Sequence, residues 1–367
     1  MAWSSPVRKM PFPTRPSMTE VQREVHMGIR GAESSGVAIP LIDLTDFAER
    51  RDEIGEQIWQ AAVEVGFFQL INHGIAPAQV REAFLMSENF FALPEASKAQ
   101  WPLSRNAGWE SRAQVRPSTG VPDQKESYQI TRPRMAGRYP SEDQLPGFRA
   151  TMHRFEEHNW LLGMRILSCL AERMGFDRDF FARMHNPAAD TYQCTLRLLH
   201  YYAITSVGLD HGALDRGAVD HRALDHGAVD RGALDRGGHD HGGLVRAGAH
   251  TDFNCLTLLY QREGQAGLQV CPGRAFDAPV WTAVEAREDR ITCNIGDMLM
   301  RWSDDQLLST FHRVRMPLPG EYLGPRYSIA FFCQANTDAL ITSRSGKYPA
   351  ISAGDYLADR MRANYPT

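Results

Sequence analysis

The chain has no run of 18 apolar residues, so nothing in it is long enough to serve as a membrane-spanning helix. It also lacks an excess of basic charge. Lys and Arg number 40 against 44 Asp and Glu, for a net charge of −4, which leaves no electrostatic footprint for nucleic acid or an anionic membrane. Cysteine is sparse: Cys169, Cys194, Cys255, Cys271, Cys293 and Cys333 form no C-x-x-C pair. That pattern suggests neither a disulfide frame nor a zinc knuckle, and reads as reduced, buried thiols in a cytoplasmic protein. What remains is ordinary globular composition. The 367 residues are 43% apolar and 23% charged, enough for two average domains or one large β-rich one, expected to act as a monomer.

Residues 1–38 carry Arg8, Lys9 and Arg15 with no acid before Glu20. This Pro-rich stretch lacks the amphipathic helix of a transit peptide and reads as a disordered leader. An N-terminal region is expected over 39–150. In it Ile39-Pro-Leu-Ile-Asp-Leu44 is strand-like, and residues 50–65 have helical spacing, with Ile54, Ile58, Ala61, Ala62 and Val65 on one stripe. Gly66 closes that helix, Phe67–Ile71 reads as a strand, and a second helix spans 77–93. Residues 94–146 read as loops with short strands. A buttressing helical segment is expected over 151–190. Its pattern begins at 148 and runs to 174, with Phe155, Leu162, Ile166, Leu170 and Met174 as the buried face. From 191 to 340 the texture becomes β, with runs at 194–202, 250–260, 267–271, 290–302, 307–315 and 325–334. Gly, Pro and Asp turns separate these runs, as in an antiparallel sandwich or barrel. Residues 341–367 form a C-terminal helix and tail. The expected fold is mainly β with helices, a jelly roll buttressed by the upstream helices.

An insert at 208–243 interrupts the β region. Asp recurs at 210, 215, 220, 225, 230, 235 and 240, a period that matches neither helix nor strand. It reads as a low-complexity surface loop that cannot bury a core.

Only one His-x-Asp occurs, His250-Thr-Asp252, and alternation along a strand places its two ends on one face. A second histidine, His312, follows in the β run Ser309-Thr-Phe-His-Arg-Val314. Two imidazoles and one carboxylate are the facial triad of non-haem iron(II) oxygenases, leaving positions for a chelating co-substrate and O2. Downstream, Arg326-Tyr-Ser328 begins another run, and a guanidinium beside a hydroxyl can clamp a carboxylate. Tyr202, at the end of Leu196-Arg-Leu-Leu-His-Tyr-Tyr202, is a third candidate for that carboxylate, on the strand face of His200. Asn294 and Asp297 read as residues serving the Gly296 turn.

These pieces, in this order, resemble the isopenicillin N synthase-like family of non-haem iron(II)/2-oxoglutarate-dependent dioxygenases, in its fungal form. The matching segments are Ile39–Asp43, Gly66–Ile75, Lys125-Glu126, Tyr201-Tyr202, His250–Asp252, Gly267–Val270, Asn294–Asp297, Ser309–Val314 and Arg326–Ser328, covering about residues 39–335. Tyr356–Tyr365 resembles the closing helix of fungal members. The resemblance implies a double-stranded β-helix core and iron(II) on His250, Asp252 and His312. It further implies 2-oxoglutarate chelated to that iron, with its far carboxylate on Arg326 and Ser328 and a further contact from Tyr202. The implied reaction hydroxylates or desaturates a small organic molecule with O2, releasing succinate and CO2, in secondary metabolism or nucleobase oxidation. The chain departs from the family in having His200 before the Tyr pair and Ala203-Ile204 after it, and in the 208–243 insert. Two alternatives keep the fold: an iron oxidase that needs no 2-oxoglutarate, and a catalytically inactive jelly-roll binding protein.

Overall fold

A computed structural model describes residues 32–33, 36–115, 122–204, 245–273 and 279–362. The 208–243 repeat and most of the 1–38 leader lie outside the described residues. The first half runs β1 (Ala32–Glu33), β2 (Leu41–Asp43), α1 (Arg51–Glu64), β3 (Phe67–Ile71), α2 (Pro77–Ala92), α3 (Glu95–Lys98), β4 (Gly108–Ser111), β5 (Lys125–Ile130), α4 (Phe148–Arg173) and α5 (Phe180–Met184). The second half runs β6 (Thr195–Tyr201), β7 (Val245–His250), β8 (Leu256–Gln261), β9 (Leu268–Cys271), β10 (Val280–Ala283), β11 (Ile291–Ile295), α6 (Asp297–Trp302), β12 (Phe311–Arg315), β13 (Arg326–Cys333), β14 (Leu340–Ile341), β15 (Ile351–Ser352) and α7 (Ala353–Arg362).

Two sheets form the core. The larger has eight strands in the order β2-β3-β11-β8-β13-β6-β5-β4, and the smaller has five in the order β1-β10-β9-β12-β7. Strand β13 shows why both of its faces are buried. Ile329, Phe331 and Cys333 pack outward into the main apolar cluster with Phe155, Leu162 and Ile166 of α4. Ala330, on the other face, packs with Leu199 and Tyr201 of β6 and with Ala247 and Val314 of the smaller sheet. Each fully buried Leu, Ile or Phe contributes roughly 1.5–3 kcal/mol, so the helix-covered face anchors the sheet while the inner face is left to shape a cavity.

The helical stripes fall where their spacing puts them. Ile54, Ile58, Ala61 and Ala62 of α1 are buried, as are Phe155, Leu162, Ile166 and Leu170 of α4. Gly66 follows α1 with φ +76, a left-handed conformation that glycine adopts without strain. A Cβ there would also stand 2.3 Å from the Leu308 carbonyl oxygen and from Thr310 Oγ1. Thr310 Oγ1 donates to the Val65 carbonyl at 2.7 Å, so this close approach ties α1 to the segment that leads into His312. Gly66→Ala is expected to destabilise the fold by on the order of 2 kcal/mol or more, read as a lowered midpoint in urea denaturation at unchanged slope.

The structure differs from the sequence reading in several places. The β run expected over 290–302 is strand only to Ile295; Gly296 then opens helix α6. A short apolar run such as Met298-Leu-Met300 does not distinguish helix from strand by periodicity. The run expected over 307–315 is strand from Phe311 only. Strand β7 ends at His250, so Thr251 and Asp252 lie beyond it, and no strand alternation relates His250 to Asp252. Within the expected leader, Ala32 and Glu33 pair in parallel with Val280 and Trp281 of β10, a strand the sequence reading does not contain.

Candidate metal and co-substrate site

Strands β7 and β12 are antiparallel neighbours, and their register sets His250 directly opposite His312. The imidazole centroids stand 4.3 Å apart. The turn after β7 brings Asp252 Oδ1 to 3.7 Å from His312 Nε2. One donor atom from each of the three side chains lies within 4.8 Å of the others.

Each donor is aimed by a bond on its far side. His250 Nδ1–H donates to the Gly248 carbonyl at 2.7 Å, and His312 Nδ1–H donates to the Thr310 carbonyl at 3.3 Å. Those bonds leave the Nε2 lone pairs facing the cluster, the tautomer a metal requires. Asp252 Oδ2 accepts from Thr257 Oγ1 at 2.5 Å and from Asn294 Nδ2 at 2.9 Å. Asn254 Nδ2 in turn donates to Thr257 Oγ1 at 2.9 Å, which fixes the hydroxyl's rotation. The peptide N–H of Asp297 holds the Asp252 carbonyl at 2.8 Å. Asn294, read from the sequence as serving the Gly296 turn, gives its side chain to Asp252. It reaches Asp252 from β11, the neighbour of β8, a relation no sequence spacing reveals. Two imidazole nitrogens and one carboxylate oxygen, with the cavity open beside them, fit a divalent iron that keeps further positions for other ligands.

Arg326 and Ser328 project into the same cavity from β13, in the larger sheet. The Arg326 side chain is fully buried, yet among the described residues no carboxylate pairs with it. Its Nε donates to the Gln265 carbonyl at 3.0 Å and its Nη1 approaches Ser328 Oγ at 3.5 Å. Burial lowers its pKa, with the nearby Tyr201 acting in the opposite direction. A second buried guanidinium, Arg246, lies near; burial and the like charge of Arg326 push its pKa down to about 10. A buried guanidinium without a counter-ion is costly, so this end of the cavity fits the carboxylate of a small dianion such as 2-oxoglutarate.

Tyr202 does not reach this site. Its hydroxyl bonds Ser111 Oγ at 2.7 Å and its ring lies under Arg112 at 4.4 Å. The tyrosine beside the guanidinium is Tyr201, whose ring centroid is 4.7 Å from the Arg326 carbon and whose Cα pairs with Arg326 across β6 and β13. Period-two alternation is the right rule for β6, but the odd face, with Arg197, Leu199 and Tyr201, points into the cavity. Both faces of this strand are buried, so hydrophobicity does not reveal its parity. His200, on the other face, bonds the buried Glu126 at 2.8 Å and stacks on Tyr327.

The sequence reading also assigns nothing to Arg360. From α7 it pairs with Asp297 at 2.8 Å and touches Thr251, between the two donors His250 and Asp252. This anchors the C-terminal helix, which lends Leu357 and Met361 to the cavity wall. All six cysteines are buried free thiols, and burial pushes Cys194 up to about 12.

A jelly roll with a two-histidine, one-carboxylate cluster inside its mouth has the build of a non-haem iron oxygenase. Comparison with known proteins agrees. Residues 39–148 match the N-terminal region named for the non-haem dioxygenase in morphine synthesis, and residues 236–335 match the 2OG-Fe(II) oxygenase superfamily. The chain is 30% identical over 338 residues to the 2-oxoglutarate-Fe(II) type oxidoreductase ppzD of Metarhizium rileyi, covering 82% of this chain and 83% of that one. It is 30% identical over 347 residues to the proline hydroxylase buaE of Petromyces alliaceus, covering 88% and 96%. Among solved structures, a full-length Neurospora crassa protein in complex with alpha-KG and thymine superposes with TM-score 0.72 at 30% identity, covering 91% and 99%. The chain belongs to the family of non-haem iron(II)/2-oxoglutarate-dependent dioxygenases. It is an oxidoreductase that uses iron(II) and takes 2-oxoglutarate as co-substrate. No helix among the described residues is long and apolar enough to cross a membrane.

Proposed function

We propose that His250, Asp252 and His312 bind the iron(II), and that Arg326, Ser328 and Tyr201 hold the far carboxylate of 2-oxoglutarate. The observation that carries this reading is the cross-strand pair His250–His312, with Asp252 pinned on its far oxygen by Thr257 and Asn294. Bound iron(II) supplies activation of O2 coupled to oxidative decarboxylation of 2-oxoglutarate, ending in succinate, CO2 and an oxidised substrate. The protein's part is orientation. Gly248 and Thr310 fix the imidazole tautomers, and Arg326 sets which end of the co-substrate faces the metal.

The substrate is a small organic molecule that is hydroxylated or desaturated in secondary metabolism. The fungal relatives named above and the thymine and 5-formyluracil complexes of the Neurospora crassa protein support that class. We place the enzyme in the cytoplasm as a monomer with no nucleic-acid or membrane partner, consistent with six free thiols and net charge −4. We divide it into an N-terminal region over 39–150, a helical buttress over 151–190, the jelly-roll core over 191–340 and a C-terminal helix and tail over 341–367.

The test is co-product stoichiometry. Purified protein given iron(II), 2-oxoglutarate, O2 and a candidate substrate is expected to release one succinate for each substrate oxidised. Substrate oxidation without succinate would transfer the chain to the oxidase alternative.

A further inference from the structure

The cavity has a second end that Arg326 does not reach; Thr257, which holds Asp252, pairs with Phe332 of β13 at this end. Gln129 on β5 pairs with Arg197 on β6, which pairs in turn with Ala330 on β13. Four residues of β13 separate Ala330 from Arg326, about 13 Å at roughly 3.3 Å per residue. At this distant end the cavity is lined by three carboxamides, those of Asn106, Gln129 and Gln334. They are 6%, 5% and 7% exposed. The side chains of Asn106 and Gln129 hydrogen-bond to no other described residue. Gln334 accepts a long bond from Thr195 Oγ1 at 3.4 Å through its Oε1, and its Nε2 has no partner among the described residues. Buried carboxamides normally satisfy both ends, so three in one pocket with open donors and acceptors call for a ligand that does so.

The charges at this end cancel. Arg197 pairs with Glu110 at 2.5 Å and also donates to Ser127. No uncompensated cation stands there, among the described residues, to receive a carboxylate, in contrast to Arg326. Phe253, Phe332, Leu357 and Met361 complete the lining with apolar surface. A carboxamide offers a donor beside an acceptor, and its complement is an acceptor beside a donor on a planar edge, the pattern of a cyclic amide.

We propose that this end binds a neutral ring bearing an amide N–H beside a carbonyl, a lactam or imide, and that this ring is the part of the substrate presented to the metal. The inference rests on the iron and 2-oxoglutarate reading above. In the reaction one oxygen atom of O2 enters a substrate C–H bond to give C–OH, and the other enters succinate. Two electrons come from that C–H bond and two from 2-oxoglutarate as it loses CO2, which together reduce O2.

The experiment is anaerobic calorimetric titration of the iron(II)-loaded full chain, first with 2-oxoglutarate and then with hydantoin, thymine, 2-piperidone, 1,3-dimethylthymine and benzoate. At least one of the first three rings is expected to bind. If thymine binds, its dimethyl derivative, which has lost both N–H donors, should bind about 10- to 100-fold more weakly. Benzoate should not bind at this end. Gln129→Leu is expected to weaken the ring by about tenfold or more, with 2-oxoglutarate affinity in the same titration reporting whether the site is assembled. Binding of the dimethyl ring or benzoate as tight as that of the lactams overturns the proposal. So does the absence of any ring binding when 2-oxoglutarate binds, which leaves the metal and co-substrate reading in place. Failure of 2-oxoglutarate itself to bind removes both.

Discussion

Replacing His312 with alanine is expected to weaken iron(II) binding by more than about 100-fold and to remove turnover with it. The figure follows from comparison with groups one bond further out, whose loss typically costs about 10- to 100-fold in metal affinity. Here Asn294 is such a group. It donates to the Asp252 oxygen that faces away from the cluster, and Asn294→Leu should fall within that range. The ordering His312→Ala worse than Asn294→Leu is therefore part of the prediction. Thermal denaturation with and without iron(II) checks it independently of activity. A ligand that binds only the folded state raises the melting temperature by mass action, so the wild type should shift, Asn294→Leu shift less and His312→Ala not at all. Equal shifts in all three would remove His312 from the site.

The second large effect is at Arg326, where two measurements should move in opposite senses. Arg326→Leu removes the proposed partner of the 2-oxoglutarate carboxylate, and losing one member of a buried charge pair costs roughly 2–5 kcal/mol, about 30-fold or more in affinity. The same substitution removes a buried guanidinium with no carboxylate partner among the described residues, beside a second guanidinium at Arg246. The protein without co-substrate should consequently melt higher than wild type, or at least no lower, because an uncompensated buried charge is replaced by an apolar side chain. Arg326→Lys keeps the charge but loses the planar fork, and should fall between the two. A variant that melts much lower and keeps normal 2-oxoglutarate affinity would make Arg326 a structural residue.

The helices are legible because one apolar stripe repeated over several turns leaves a single solution: Ile54 through Ala62 of α1, and Phe155 through Leu170 of α4, are buried as their spacing requires. The strands are legible as apolar runs but less so in extent and parity, since strands such as β6 and β13 are buried on both faces. That is why the sequence points to Tyr202 where Tyr201 stands beside Arg326. Strand alternation groups Asp252 with His250 for the wrong local reason. The pair is held together by a turn after β7 and by bonds from Thr257 and Asn294.

By itself the sequence determined which side chains with metal-binding and carboxylate-binding chemistry are present, and in what order: His250, Asp252, His312, then Arg326 and Ser328. It also determined that helices precede a β-rich core. Only the tertiary structure decided that His250 faces His312, that Arg326 is buried without a counter-ion among the described residues, and that three carboxamides share the far end of the cavity. The reason is one of range. Side-chain chemistry and local periodicity act over a few residues. Strand register and the facing of two sheets depend on packing between segments 60 or more residues apart, such as His250 and His312.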